Sequence, residues 1–264
     1  MGRKKIEKIV VLPNDNDRQA VRMLVRLRAD FQDMRKRMDN RLGRKADGTA
    51  QNVDERSFRV EDLDNFKSIA DTARDQEQQI EKMLKKVLRR FPIYNEWLVG
   101  VKGVGEIAAG WIIAEYDIHK ATTVSKLWQF TGLNPSEVQG KKRVELEDGG
   151  FDYVPSGEMV RGDRLTPGHV APFNQRLRTA MVGVLADGFI KAQAPYAMNF
   201  YYPYKARLEQ EAGWDEESKG HRDRAAKRYM IKMFLLDLYV QWRTLEGLPV
   251  RKPYQEEYLG HKHA

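Results

Sequence analysis

Two long stretches near the start of the chain carry apolar residues in alternating steps of three and four. In the first, Asp15 or Asp17 supplies a capping carboxylate, Leu24, Leu27, Phe31, Met34 and Met38 form the stripe, and Gly43 stops the helix beside Leu42. The polar connection RKADGTAQNVDERS leads to a second helix, expected from about Val60 to Phe91. Its stripe is Phe66, Ala70, Ala73, Ile80, Leu84 and Val87, interrupted at one seam position by Glu77. At about 1.5 Å per residue each helix is roughly 40 Å long, too extended to be covered by a small globule. The pattern therefore predicts an antiparallel coiled-coil hairpin that packs on itself, pairs with a second copy, or does both. A two-fold homodimer is the expected assembly.

Past residue 97 the pattern shortens. Phe91 to Val99 looks helical despite Pro92, and the turn Gly100-Val-Lys-Gly-Val-Gly105 opens into Ala108 to Tyr116, so uniformly apolar that it reads as a helix buried on most sides. Thr122 and Thr123 begin a helix over Val124 to Phe130 that Gly132 ends. RVELEDGGFDYV then alternates on both sides of Asp148-Gly149-Gly150, a β-hairpin inserted between helices. Pro155 to Pro172 reads as a Gly- and Pro-rich loop. From Phe173 a helix places Leu177, Met181, Val184 and Leu185 on its core face, and the last helix, His221 to Leu245, starts basic and becomes apolar through MIKMFLLDLYVQW. The expected fold is mainly α: a basic arm over 1–14 (Arg3, Lys4, Lys5, Lys8, then IVVL), a coiled-coil helical hairpin over 15–97, and a compact helical domain with a small β-hairpin insertion over 98–264.

Composition narrows the class. An apolar fraction of 41% with five Trp supports a packed core. Zero Cys removes disulfides, thiolate catalysis and Cys-based zinc sites. No run approaches the roughly 18 apolar residues of a membrane span, and the first residues lack a secretory pattern, so a cytoplasmic protein with no membrane partner is expected. The net charge of +8 points to a polyanionic partner. That excess is flanking: 23 basic against 17 acidic groups up to residue 97, 8 against 10 over 98–168, and 15 against 11 beyond.

Where that partner binds has two indications. Gly103 and Gly105 can take φ > 0 and leave amides open at a helix N-terminus, which with Lys102 suits a phosphate. The same turn, followed by Ala108, Ala109 and Gly110, serves equally to let two helices cross closely; a dinucleotide reading is weaker, because no βαβ unit frames it. Basic or amide groups on expected loops and helix starts complete the set: Lys141, Lys142, Arg143, Arg161, Arg164, Asn174, Arg176, Arg178, Lys205, Arg207, Arg222, Arg224 and Arg228. Tyr196, Phe200, Tyr201, Tyr202 and Tyr204 mix rings with the cations that follow, as nucleic-acid platforms do, or simply pack. Glu145, Glu147, Asp148 and Asp152 read as the solvated face of the β-hairpin, His261 and His263 as an adventitious metal site, and His169 and His221 as RNA contacts or helix caps. No metal or cofactor is expected.

GVKGVGEIAAGWIIAE with LWQFTGLNP, LTPGHVAPFNQRLRTAMVGVLADG, and YYPYKARL with RAAKRYMIKMFLLDLYVQW together resemble the C-terminal domain of bridge-RNA-guided insertion-sequence recombinases, in order and spacing from about Leu98 to Trp242. A helical hairpin leading into this domain is also similar to the Nop domain of box C/D ribonucleoproteins and to the Tas proteins of tandem interspaced guide RNA systems. The resemblance implies a Nop-like helical domain that holds a structured guide RNA and leaves target recognition to base pairing.

The departures choose among these relatives. The recombinases carry a RuvC-like domain with four acidic metal ligands, whereas here a short lead runs directly into coiled-coil helices. Their catalytic Ser follows the GL-x-P motif, where GLNPSEVQGKK offers Gln139; with the β-hairpin treated as an insertion, Ser156-Gly157 takes that place instead, but the sequence supplies no visible base. The expectation is therefore a non-enzymatic RNA-binding scaffold of a guide ribonucleoprotein, a homodimer, with target DNA and a nuclease as further possible partners. The alternatives are a minimal serine recombinase or transposase using Ser156 with a borrowed RuvC-like subunit, and a duplex-DNA-binding structural protein using the Gly turn.

Overall fold

The computed structural model describes residues 15–43, 59–211, 213–214 and 218–251. The basic arm, the RKADGTAQNVDERS connection and His261 and His263 lie outside the described residues. The protein is mainly helical with one two-stranded antiparallel sheet. Its elements fall into two compact units.

The first unit is built on α1 (Asp15–Arg41) and α2 (Val60–Leu88). Their cross-contacts run in opposite senses: Asp17 pairs with Arg90, Arg28 with Glu81, Arg35 with Glu77 and Asp39 with Arg74. The hairpin is therefore antiparallel, as the periodicity predicts. Its seam is not the predicted one. Leu24, Ala70, Ala73, Ile80 and Leu84 are buried, but Leu27, Met34 and Phe66 are exposed and Val87 is half-buried. Val21, Val25, Leu42, Leu63 and Leu88 are buried in their stead, together with the charged residues Arg35 and Asp39; Glu77, expected at the seam, is buried there. A stripe chosen by hydrophobicity alone skips charged seam positions and drifts onto the outer face.

Glu77 is 5% exposed and Arg35 8%. Arg35 Nε donates to Glu77 Oε1 at 2.5 Å and Arg35 Nη1 to Asp39 Oδ2 at 3.2 Å, while Arg74 Nη2 reaches Asp39 at 3.2 Å. The hydrogen bond to Glu77, outweighing the cost of burial, holds the Arg35 guanidinium above its ordinary pKa. Charges at the seam thus occur largely paired with one another, the condition for burying them, although the buried Arg74 Nε has no hydrogen-bond partner among the described residues.

Short elements follow: α3 (Pro92–Glu96), a 3₁₀ turn (Leu98–Gly100) and α4 (Glu106–Glu115). Residues Ala109–Ala114 of α4 belong to the first unit. Gly110 is why: a Cβ there would sit 2.7 Å from Val25 Cγ1 and 3.0 Å from Leu84 Cδ2, so the missing side chain lets the helix lie against both long helices. Arg18 Nε and Arg22 Nη2 then donate to the carbonyls of Ile113 and Ala114, cations on the last turn of α4 where the helix dipole favours them.

The second unit comprises Glu96–Ala108 and the described residues from Glu115 onward. Its elements after α4 are α5 (Val124–Phe130), β1 (Glu137–Glu145), β2 (Phe151–Arg161), α6 (Gln175–Arg178) continuing through a π-helical stretch (Thr179–Leu185) into α7 (Ala186–Lys191), a second π-helical stretch (Ala197–Tyr201) running into α8 (Tyr202–Gln210), and α9 (Lys219–Leu245). The apolar middle of α9 forms the core: Phe234 stacks on Trp97 and meets Phe189 and Tyr196, with Met230, Ile231, Leu235, Leu238 and Tyr239 buried beside it. Two interior polar side chains find carbonyl partners. Arg243 donates to the carbonyls of Ile118, Ala121 and Pro249, and Trp128 Nε1 to Lys232 O. Burial raises the Tyr116 hydroxyl far above its ordinary pKa, where it shares a 2.5 Å hydrogen bond with Thr131.

Two expectations are corrected here. Val184 is exposed at 60%, because the π-helical stretch rotates it off the face shared by Leu177, Met181 and Leu185. The stretch from Pro155 is not wholly loop: Pro155–Arg161 is the second half of β2, paired back to Glu137. The register shifts between Gln139 and Lys141, so Ser156, Gly157 and Glu158 bulge out, and Gly157 has φ +83°. That bulge breaks the alternation by which the strand would have been recognised.

Candidate nucleic-acid interface

The arrangement starts from a spacing on one helix. Arg224, Arg228 and Lys232 stand at successive steps of four on α9, so they rise along one face. They line a cleft of about 610 Å3 in the second unit with Arg178 from α6, Arg161 and Arg164 from the end of β2 and the turn after it, and Tyr204 from α8. Trp214, His221 and Tyr229 complete its aromatic lining.

The cations are crowded and only partly compensated. Asp163, the one carboxylate lining the cleft among the described residues, is taken up by Arg161, whose Nε and Nη2 donate to it at 3.0 and 3.1 Å. Arg178 Nη1 donates instead to the Asp163 carbonyl at 2.6 Å, and its guanidinium lies 4.8 Å from the Phe173 ring centroid. Lys232 Nζ lies 5.3 Å from the Trp128 centroid. Arg228 makes no hydrogen bond or ion pair among the described residues. Burial lowers the pKa of Arg178, Arg228 and Lys232, and like charge adds to it: Arg178 acts on Arg228, and Arg228 on Lys232. Cations withdrawn from water beside one another oppose folding, and an anion in the cleft relieves that cost. Tyr204 and Tyr229 in the lining stack on each other at 4.3 Å and 17°.

Of the sequence candidates, Arg161, Arg164, Arg178, Arg224 and Arg228 converge here. The others have different settings. Lys141, Lys142 and Arg143 stand on β1, where Lys142 pairs with Glu158 and Arg143 covers the Phe151 ring at 4.0 Å. Asn174 is occupied as the N-cap of α6, accepting from Leu177 N–H and donating to Glu115, so it is not an available amide. Arg222 is buried, with Nη1 on the Trp214 carbonyl, and is structural. Lys205 is held by Tyr201 OH at 3.3 Å and stands 4.0 Å from Asp223. Arg207 covers Tyr204 at 4.6 Å and stands 3.7 Å from Glu211; Arg176 is exposed on α6.

The Gly turn carries part of the expected geometry: Gly103 takes the positive φ, Gly105 does not, and the space at Gly105 before α4 is open. Gly103 has φ +95°, and a Cβ there would meet Phe189 Cδ1 at 2.7 Å, so only glycine fits this close approach. Gly105 is exposed without a positive φ, Lys102 is exposed, and Glu106 already places a carboxylate in the first turn of α4. The close-crossing alternative accounts for Gly103. Most rings after Tyr196 are packed as well: Tyr196 OH donates to Asp237 and Tyr201 OH to Asp223, both driven far above their ordinary pKa, first by burial. Lys227 joins that group at 2.8 Å from Asp187 and 3.0 Å from Asp223.

Sequence reasoning missed Lys232, Tyr229 and Trp214. The steps of four from Arg224 carried the signal for Lys232, hidden inside an apolar run. It also missed a neighbour of Ser156. His169 Nε2 lies 3.1 Å from Ser156 Oγ while its Nδ1 faces the Pro167 carbonyl at 3.2 Å, so with the proton on Nδ1 the imidazole presents an acceptor to the hydroxyl. Gly140 makes room for the pair: a Cβ there would meet Ser156 Oγ at 2.6 Å and His169 Cδ2 at 2.8 Å. Among the described residues no cluster of three or more His, Asp or Glu is disposed to hold a metal, and none of the helices there is long and apolar enough to cross a membrane. Comparison with family models, with curated proteins and with solved structures gives no match.

Proposed function

We propose that the chain is an RNA-binding scaffold of a guide ribonucleoprotein, holding a structured guide RNA for target recognition by base pairing and acting as a homodimer. The observation that carries the reading is the cleft, where crowded, under-neutralised cations stand among aromatic rings: the two groups that contact phosphates and unstacked bases. Support for the dimer comes from the hairpin, whose outer surface exposes Met23, Leu27 and Met34 on α1 and Phe66, Ile69 and Met83 on α2.

The test is purification without nuclease, sequencing of bound nucleic acid, and the mass of the complex in solution. A discrete short RNA in fixed ratio to two protein chains is the expected result; heterogeneous DNA, or no nucleic acid, refutes the scaffold. Structured RNA should outcompete duplex DNA, and affinity should fall steeply with salt.

A second reading, a serine recombinase, is favoured by the Ser156–His169 pair. In it Ser156 Oγ would form a bond to a phosphodiester phosphorus, His169 would take the hydroxyl proton, and the departing sugar oxygen would leave with a proton returned from the imidazolium. A strand-exchange assay of Ser156→Ala separates the readings: a scaffold loses nothing, a recombinase everything.

A further inference from the structure

A strip of surface cations is enough to track a nucleic-acid backbone; this cleft is more than a strip. Its volume of about 610 Å3 falls within the roughly 300–1,000 Å3 usual for a small-molecule pocket, too small for a double helix to enter. Arg178, Arg228 and Lys232 supply charge to the lining, and Tyr204, Trp214 and Tyr229 supply rings among them. The rings are differently committed. Tyr204 and Tyr229 stack on each other, whereas Trp214 meets the His221 ring at 87° and is stacked flat against no ring among the described residues. One recess therefore offers Arg228, which makes no hydrogen bond or ion pair among the described residues, and an indole on which no described ring is stacked.

We propose that this cleft takes one unpaired nucleotide of the bound RNA, its phosphate among Arg178, Arg228 and Lys232 and its base against Trp214. The inference rests on the RNA-binding reading above and narrows it: the protein selects RNA that can extrude a nucleotide. A fully paired stem keeps its bases stacked on each other and can offer the cleft only phosphates. A bulge offers both groups at once.

The experiment compares two fluorescent hairpin RNAs of the same stem sequence, one fully paired and one with a single unpaired nucleotide, by anisotropy with the full chain. Wild type should bind the bulged RNA about ten-fold more tightly, in line with the stacking of one base on an aromatic ring. Trp214→Ala should bring the two affinities together while binding of the paired hairpin stays within about two-fold. Arg228→Gln should weaken both RNAs and lower the salt dependence by about one unit of slope. Equal binding of the two hairpins by wild type overturns the nucleotide site and leaves the RNA-binding reading standing. Salt-independent binding, or none, overturns both. The first comparison needs only wild-type protein, so a misfolded variant cannot decide it.

Discussion

Replacing Glu77 by Leu should cost far more than the same change at a surface carboxylate. Glu77 accepts two hydrogen bonds from Arg35, at 2.5 and 3.4 Å, and lies 3.6 Å from Arg28 Nη2. Without it Arg28 still has Glu81 at 3.0 Å, but Arg35 keeps only Asp39, which also serves Arg74. A guanidinium would stay buried in the hairpin seam with part of its compensation gone. Breaking such a pair by removing one partner costs about 3–5 kcal/mol. For a chain of this size each kcal/mol lowers the melting temperature by about 2–4 °C, so the helical transition in circular dichroism should fall by roughly 6–20 °C. The double variant Arg35→Met/Glu77→Leu removes both buried charges and should recover most of that loss, since an apolar pair of similar volume is often as stable as the ion pair or more so. A single variant costing less than about 1 kcal/mol, or a double variant no better than the single, refutes the account of the seam.

Gly103→Ala combines a Cβ 2.7 Å from Phe189 Cδ1 with a φ of +95°; thermal denaturation should show a loss of about 2–3 kcal/mol. Gly140→Ala, whose Cβ would meet Ser156 Oγ at 2.6 Å, should cost about 1–3 kcal/mol and separate Ser156 from His169, seen as a loss of the hydrogen-bonded His169 signal in NMR. Lys232 has its pKa lowered from 10.5, first by burial and then by Arg228. A lysine whose folded value lies below its unfolded one opposes folding fully below the folded value, and the opposition disappears as pH rises to the unfolded value. Lys232→Met should therefore melt above wild type at neutral pH, with the difference closing towards pH 10.5; a constant difference across that range would show that the charge is not the cause.

Much of the local structure was legible. The hairpin, α4, α5, the β-turn at Asp148-Gly149-Gly150 and the helical character of the remainder follow from periodicity and from Gly positions, because those signals are local and repeat along one element. Half-misread elements share a cause: an irregularity that shifts phase. The bulge at Ser156–Glu158 hid the far end of β2, and the π-helical stretch turned Val184 outward. In the hairpin part of the phase was carried by the charged residues Arg35 and Asp39, which no apolar pattern counts.

By itself the sequence determined the helical class, the two long helices, the basic excess and the residue types available to hold a polyanion. Only the tertiary structure decided which cations act together. Arg161 and Arg178 are brought beside Arg224, Arg228 and Lys232 by contacts across the chain, whereas Asn174, Lys205 and Arg222 are consumed by partners from other segments. The same holds for Ser156 and His169, which meet only because Gly140 on the opposite strand has no side chain. Periodicity reports the environment of one element, while a site is defined by distances between elements, and those are set by packing.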